Sequence, residues 1–121
     1  MNKPVLGLVA GGVLGIFDGL TALVSAPEVA PQIAGIVAGS CAKGLVAGML
    51  IGWFAKKVNN LTAGVVFGLA MGALFALPFA LMPDPTTGQK YFWEILIPGS
   101  LVGLIVGFLT QRYGAMVLAR R

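Results

Sequence analysis

Four long apolar stretches, joined by short connections, account for almost the whole chain. They run from Pro4 to Val24, from Ile33 to Ala55, from Leu61 to Met82 and from Phe92 to about Gly114. Each is close to the ~20 residues with which an α-helix crosses a hydrocarbon core of about 30 Å. None has the polar face of a helix in a water-soluble domain. The pattern therefore predicts an all-α integral membrane protein with four transmembrane helices.

The composition agrees with a membrane protein and leaves little sequence for anything else. Of the 121 residues, 58% are hydrophobic and 10% are charged, a balance that is typical of bilayer-embedded chains. We therefore expect residues 1–121 to form a single transmembrane domain. The first stretch is longer than the apolar part of a signal peptide and contains Asp18, so we interpret it as a retained helix.

Glycine recurs at every fourth position in all four stretches. The residues concerned are Gly11, Gly15 and Gly19, Gly44, Gly48 and Gly52, Gly64, Gly68 and Gly72, and Gly99, Gly103 and Gly107. This spacing places a flat groove along one side of a helix and lets another backbone approach closely. We expect these glycines to be the helix-packing residues.

The two halves of the chain also resemble each other. GLVAGMLIGWFAKK, which starts at Gly44, aligns with GSLVGLIVGFLTQR, which starts at Gly99, and the glycines coincide. In the first and third stretches Gly11 aligns with Gly64 in the same manner. We interpret residues 4–58 and 61–114 as two glycine-zipper hairpins that form a parallel repeat about an axis along the membrane normal. In this alignment Met71 takes the place of Asp18.

Positive charges gather on one side of the predicted bundle. They are Lys3, Lys56, Lys57, Arg112, Arg120 and Arg121, whereas Lys90 falls on the other side. By the positive-inside rule, both termini are cytoplasmic, and we expect the membrane to be a bacterial inner membrane. The net charge of +4 follows from this topology and from contacts with anionic lipid, and it does not require a nucleic-acid partner.

A few polar residues lie within the outer half of the predicted helices. Counting about 1.5 Å per residue from the outer ends puts Asp18 about 10 Å deep and Lys43 about 16 Å deep, on neighbouring antiparallel helices. An ion pair between them is therefore geometrically reasonable. The candidate ion-binding or solute-binding residues are Asp18, Thr21, Ser25, Ser40, Lys43 and Ser100. They predict an outward polar pocket above an apolar, glycine-packed floor.

Asp18 has two interpretations. An Asp at a helix centre costs about 2.5 to 3.5 kcal/mol on insertion, which the aliphatic residues of the same helix offset. In one interpretation the residue forms a structural ion pair with Lys43 that fixes the register of two helices. In the other it binds a proton or a cation during transport.

The side chains do not favour catalysis. The chain has no histidine, one cysteine and four acidic residues, which form no metal cluster, catalytic triad or carboxylate pair. We therefore predict that the protein is not an enzyme and has neither a cofactor nor a metal site.

Two functions remain open. The first, which we favour, is a small oligomeric transporter or channel for an ion or small solute, with Asp18 as an intramembrane carboxylate. The second is a non-catalytic accessory or scaffolding subunit, whose glycine faces dock helices of a larger membrane complex. The expected partners are membrane lipid and either further copies of the chain or such a complex.

Overall fold

A computed structural model describes residues 2–83 and 88–114. Its helices are α1 (Lys3–Leu20), α2 (Ala22–Ser25), a 3-10 helix (Pro27–Gln32), α3 (Ile33–Lys57), α4 (Leu61–Leu81) and α5 (Phe92–Leu109), followed by a π-helical turn (Thr110–Gly114). The described residues contain no strand, and one isolated bridge links Pro83 to Lys90. Arg120 and Arg121, which contribute to the predicted orientation, lie outside the described residues.

Four of these helical segments are long and apolar enough to cross a membrane, as the sequence predicts. They cover Lys3–Ser25, Pro27–Lys57, Leu61–Leu81 and Phe92–Tyr113 within the described part of the chain. The all-helical architecture and the capacity to span a membrane are therefore confirmed. The first segment is not one continuous helix, because α1 ends at Leu20 and α2 begins at Ala22.

Local signals in the sequence set the helix ends. The Asn2 side chain accepts a hydrogen bond of 2.9 Å from the Val5 amide at the start of α1. The Asn60 side chain does the same for the Ala63 amide at the start of α4, at 3.0 Å. Asparagine is a favoured residue at both positions because its oxygen satisfies an amide that has no partner within the helix.

The helices pack as two antiparallel pairs. In one pair α1 lies against α3, and in the other α4 lies against α5. Contacts between the two pairs are far fewer. They mainly join α5 to α1, and α3 to both α4 and α5. We call the two pairs the first and second hairpin. We call the end of the bundle that contains residues 21–32 and 88–91 the hairpin end, because each hairpin turns there. The opposite end of the bundle, which contains Lys3 and residues 58–60 and 110–113, is the terminal end.

Backbone contacts at glycine hold each hairpin together. Gly7 faces Gly48 and Gly11 faces Gly44 in the first hairpin, so closely that a Cβ on any of the four would meet a carbonyl oxygen of the other helix. In the second hairpin the facing pairs are Gly64 with Gly107, Gly68 with Gly103 and Gly72 with Gly99. Large apolar side chains are mostly exposed instead. Small residues inside and large apolar residues outside suit a lipid surrounding.

The register of the facing pairs differs from the one predicted from the sequence. The sequence alignment matches Gly11 with Gly64 and Gly44 with Gly99. Since Gly11 faces Gly44, this alignment requires Gly64 to face Gly99. In the structure Gly64 faces Gly107 instead. Superposing the facing pairs moves each helix by one four-residue step. The resulting counterparts are Gly7 and Gly64, Gly11 and Gly68, Gly15 and Gly72, Ser40 and Gly99, Gly44 and Gly103, and Gly48 and Gly107. Glycine at every fourth position fits several registers, so the sequence alone did not select this one.

Candidate functional site

A buried ion pair joins α1 to α3 near the middle of the bundle. The Lys43 ammonium nitrogen lies 3.4 Å from Oδ2 of Asp18, and the two side chains are 12% and 6% exposed. The sequence placed these residues on adjacent antiparallel helices, and the structure brings them together. Each charge depends on the other, since an unpaired charge at this depth is strongly disfavoured.

Two glycines of α1 bring the backbone of Asp18 close to α3. Gly15 lies against the carbonyl oxygen of Ser40, and a Cβ on Gly19 would lie 2.8 Å from the Cα atom of Val37. No side chain fits between the two backbones at these positions. Asp18 is therefore held beside α3, within reach of the long side chain of Lys43.

The second hairpin covers the ion pair from the other side. The Lys43 ammonium lies 5.7 Å from the centre of the Phe79 ring on α4, which is within cation–π distance. A Cβ on Gly99 of α5 would lie 3.8 Å from the same nitrogen. The ion pair thus lies where the two hairpins meet.

A small cavity adjoins the ion pair and receives counterpart residues from both hairpins. Its volume is about 20 Å³, enough for about one water molecule. The counterparts that line it are Gly15 and Gly72, Asp18 and Phe75, Ser40 and Gly99, Lys43 and Val102, Gly44 and Gly103, and Ala47 and Val106. Both charged residues come from the first hairpin, so the cavity is polar on one side and apolar on the other.

A larger cleft extends from Lys43 toward the hairpin end. It has a volume of about 200 Å³ and is lined by Gly35, Ile36, Gly39, Ser40, Lys43, Phe79 and Ile95. Lys43 and Ser40 line both spaces, whereas Asp18 lines only the small cavity. The positive member of the pair therefore faces the cleft.

Apolar side chains border the small cavity on the side of the terminal end. Ile51 of α3 and Val106 of α5 are each 1% exposed, and both line the bottom of the small cavity. They pack among the glycine contacts described above. The ion pair consequently lies between these apolar side chains and the cleft that extends toward the hairpin end.

Hydrogen bonds at the terminal end lie both within the first hairpin, from Lys3, and between the two hairpins, from Gln111. The Lys3 ammonium donates to the Ala55 carbonyl at 2.9 Å and to Oδ1 of Asn59 at 3.3 Å. The Gln111 amide donates to the Val58 carbonyl at 2.6 Å. Sequence reasoning treated Lys3 as a topology signal, yet its side chain is buried and interacts favourably with the carboxyl end of α3.

Tyr91 links the hairpins at the hairpin end. The Tyr91 hydroxyl donates to Oε1 of Glu28 at 2.8 Å, so the 3-10 helix of the first hairpin is joined to the start of α5. Tyr91 is also buried against Ala26 and Val29. Ile36 and Ile95 pack against this cluster and line the cleft, so the cluster borders the cleft on the side of the hairpin end.

Three of the predicted site residues lie elsewhere. Thr21 and Ser25 are exposed and donate to carbonyls of their own helical turns, Asp18 and Thr21 respectively. Ser100 lines neither the small cavity nor the cleft. The prediction grouped Thr21 and Ser25 with Asp18 on one helical face, whereas in the structure neither residue lines the small cavity or the cleft. Asp18, Ser40 and Lys43 are the predicted residues that the structure brings together.

Sequence reasoning missed the apolar half of the site. Phe75, Phe79, Ile95 and Val102 line the cavity or the cleft, yet they resemble any other apolar residue of a membrane helix. When the facing glycines of the two hairpins are superposed, two of these residues, Phe75 and Val102, match Asp18 and Lys43.

The described residues contain no group of three or more His, Cys, Asp or Glu side chains that could hold a metal ion. Comparisons of the chain with protein-family models, with curated proteins and with solved structures found no match.

Proposed function

We propose that the protein is a small membrane transporter or channel for an ion or small solute, with Asp18 and Lys43 at its binding site. The observation that carries this proposal is the position of the ion pair, buried between the two hairpins and next to a cleft of about 200 Å³. A pair with a purely structural role within the first hairpin does not require a cleft that ends at its lysine. Intramembrane ionisable residues that face such spaces commonly belong to substrate pathways.

The arrangement of the hairpins supports the same function. In this proposal they are a parallel repeat of glycine-zipper hairpins, in the register defined by their facing glycines. Transporters built from repeats bind substrate near the middle of the membrane, at the interface between the repeats. The cavity lined by counterpart residues occupies the equivalent place.

A hydrogen bond joins the hairpins at each end of the bundle. The Gln111 side chain donates to the Val58 carbonyl at the terminal end, and the Tyr91 hydroxyl donates to Glu28 at the hairpin end. Rocking of one hairpin against the other, with the bond between Tyr91 and Glu28 broken, would open the hairpin end. With the termini in the cytoplasm of a bacterial cell, this end faces outward, and the functional unit is a homo-oligomer in the lipid bilayer.

The test is a flux measurement in proteoliposomes. Protein with Asp18→Asn should lose proton-linked or ion-linked flux, because the amide carries no charge. The change leaves Lys43 unpaired, so the flux is compared at equal amounts of folded protein in the liposomes. Ser25→Ala, an exposed change on the same segment, should retain the flux. An Asp18→Asn variant with full flux, or a wild-type protein without any conductance, uptake or proton signal, contradicts the proposal.

A second candidate function is an accessory subunit of a larger membrane complex. One observation favours it: a Cβ placed on Gly35 or Gly39 of α3 meets no atom within 4 Å, so this glycine surface is open to another helix. The test is purification in mild detergent. Recovery with other membrane proteins supports the subunit function, and recovery as a discrete homo-oligomer contradicts it.

A further inference from the structure

The charge that faces the cleft defines which ligands fit it. Lys43 and Ser40 lie at its polar end, and Asp18 does not line it. A cation that enters the cleft therefore meets the lysine ammonium before it meets the carboxylate. An anion meets an ammonium and a hydroxyl, both of which can donate hydrogen bonds to it.

The rest of the cleft is apolar. Ile36, Phe79 and Ile95 form its walls, and a Cβ placed on Gly35 or Gly39 would meet no atom within 4 Å. This shape accepts an apolar group that extends from Lys43 toward the hairpin end. Pockets of this kind, mostly apolar with a few polar groups at one end, orient amphipathic ligands.

We infer that the cleft binds a small amphipathic acid, with its carboxylate on Lys43 and Ser40 and its apolar part against Ile36, Phe79 and Ile95. This inference rests on the proposed function and names the substrate class of the same site. The headgroup of a phospholipid does not fit, because it stays at the membrane surface and Lys43 lies near the middle of α3. The acid comes from water as a short-chain compound or from the bilayer as a free fatty acid.

Charge balance adds a proton to the binding step. Lys43 and Asp18 together are neutral, so a bound carboxylate leaves one negative charge in excess at a site of low dielectric constant. Asp18 on α1 is the one other titratable residue that lines the cavity or the cleft; α4 contributes Phe75 and Phe79, and α5 contributes Ile95, Gly99 and Val102. A proton that reaches the Asp18 carboxylate, from water or from the acid itself, restores neutrality. The site thus takes up one carboxylate and one proton together.

Calorimetry on the full chain in phosphatidylcholine nanodiscs tests this inference, with hexanoate as the probe and hexylammonium and empty nanodiscs as controls. Hexanoate should bind and hexylammonium should not. Repeating the titration in buffers of different ionisation enthalpy should show uptake of about one proton for each hexanoate bound. Competition by oleate identifies the bilayer as a source of the acid, and lack of competition restricts the ligand to short-chain acids.

Two variants and their controls locate the binding. Gly39→Leu fills the cleft where no atom lies within 4 Å, and the double variant Asp18→Asn/Lys43→Met removes both charges and so leaves neither unpaired. Each should weaken hexanoate binding about tenfold or more. Ala38→Leu, at an exposed neighbouring position outside the cleft, and Lys57→Met should bind as the wild type does.

The possible outcomes separate this inference from the proposed function. Preferential binding of hexylammonium, hexanoate binding without proton uptake, or hexanoate binding that persists in both Gly39→Leu and the double variant overturns the inference. Hexanoate binding without flux in proteoliposomes overturns the proposed function and leaves the inference intact. Cation flux without hexanoate binding overturns the inference and leaves the proposed function intact.

Discussion

The two hairpins are held together in the same way, but only the first carries charged residues at their interface. Both rely on glycines that bring two backbones into contact. Where the first hairpin has Asp18 and Lys43, the second has Phe75 and Val102 at the counterpart positions of the same cavity. The contacts that fold a hairpin are therefore separate from the side chains that give the site its chemistry.

The largest expected effect comes from breaking the glycine contacts that the hairpins share. Gly11→Val and Gly103→Val each place a side chain against a carbonyl oxygen of the facing helix, of Gly44 and Gly68 respectively. We expect each to cost more than about 3 kcal/mol, because the helices must separate. Detergent unfolding measures the loss. Gly39→Val, at a position without neighbours, is the control and should change the unfolding free energy by less than about 0.5 kcal/mol.

The ion pair is the feature that distinguishes the first hairpin. Lys43→Met leaves Asp18 buried without its partner, and we expect it to lower the unfolding free energy by up to about 3 kcal/mol. The double variant Asp18→Asn/Lys43→Met should recover most of this loss, as a double-mutant cycle would show. A double variant less stable than Lys43→Met would mean that the two residues act independently.

The terminal end provides the next comparison. Lys3→Met removes the hydrogen bonds to Ala55 and Asn59 while keeping the apolar stem. The expected loss is about 1 to 2 kcal/mol, which is typical of hydrogen bonds from a charged donor. Lys56→Met, at an exposed position near the same end, is the matched control. Equal effects of the two changes would show that the buried position of Lys3 does not contribute.

The smallest effect is expected at the hairpin end. Tyr91→Phe removes the hydroxyl that donates to Glu28 and should cost about 1 kcal/mol. Hydrogen exchange should become faster in residues 26–32 and remain unchanged at residues 55–59, since the link acts at one end only. Tyr113→Phe, at an exposed position, should change neither region.

Sequence reasoning found the helices and the ion pair for identifiable physical reasons. Hydropathy over ~20 residues reports directly on the bilayer thickness, and short connections make neighbouring helices antiparallel, which put Asp18 near Lys43. It grouped Thr21 and Ser25 with Asp18 by helical spacing, whereas their hydroxyls donate to carbonyls of their own segment and neither residue lines the cavity or the cleft. It did not find Phe79 or Val102, because nothing in an apolar residue distinguishes a ligand site from a lipid contact.

The backbone contacts within each hairpin have a mechanical consequence. A helix pair joined at its glycines has little room to slide or to compress, so each hairpin should behave as a stiff body. The seam between the hairpins is more compliant, because far fewer residues meet there than within a hairpin and because it contains the cavity beside Asp18 and Lys43. Hydrostatic pressure or lateral tension in the bilayer would therefore act first on this seam, and hence on the ion pair, before it strains either hairpin.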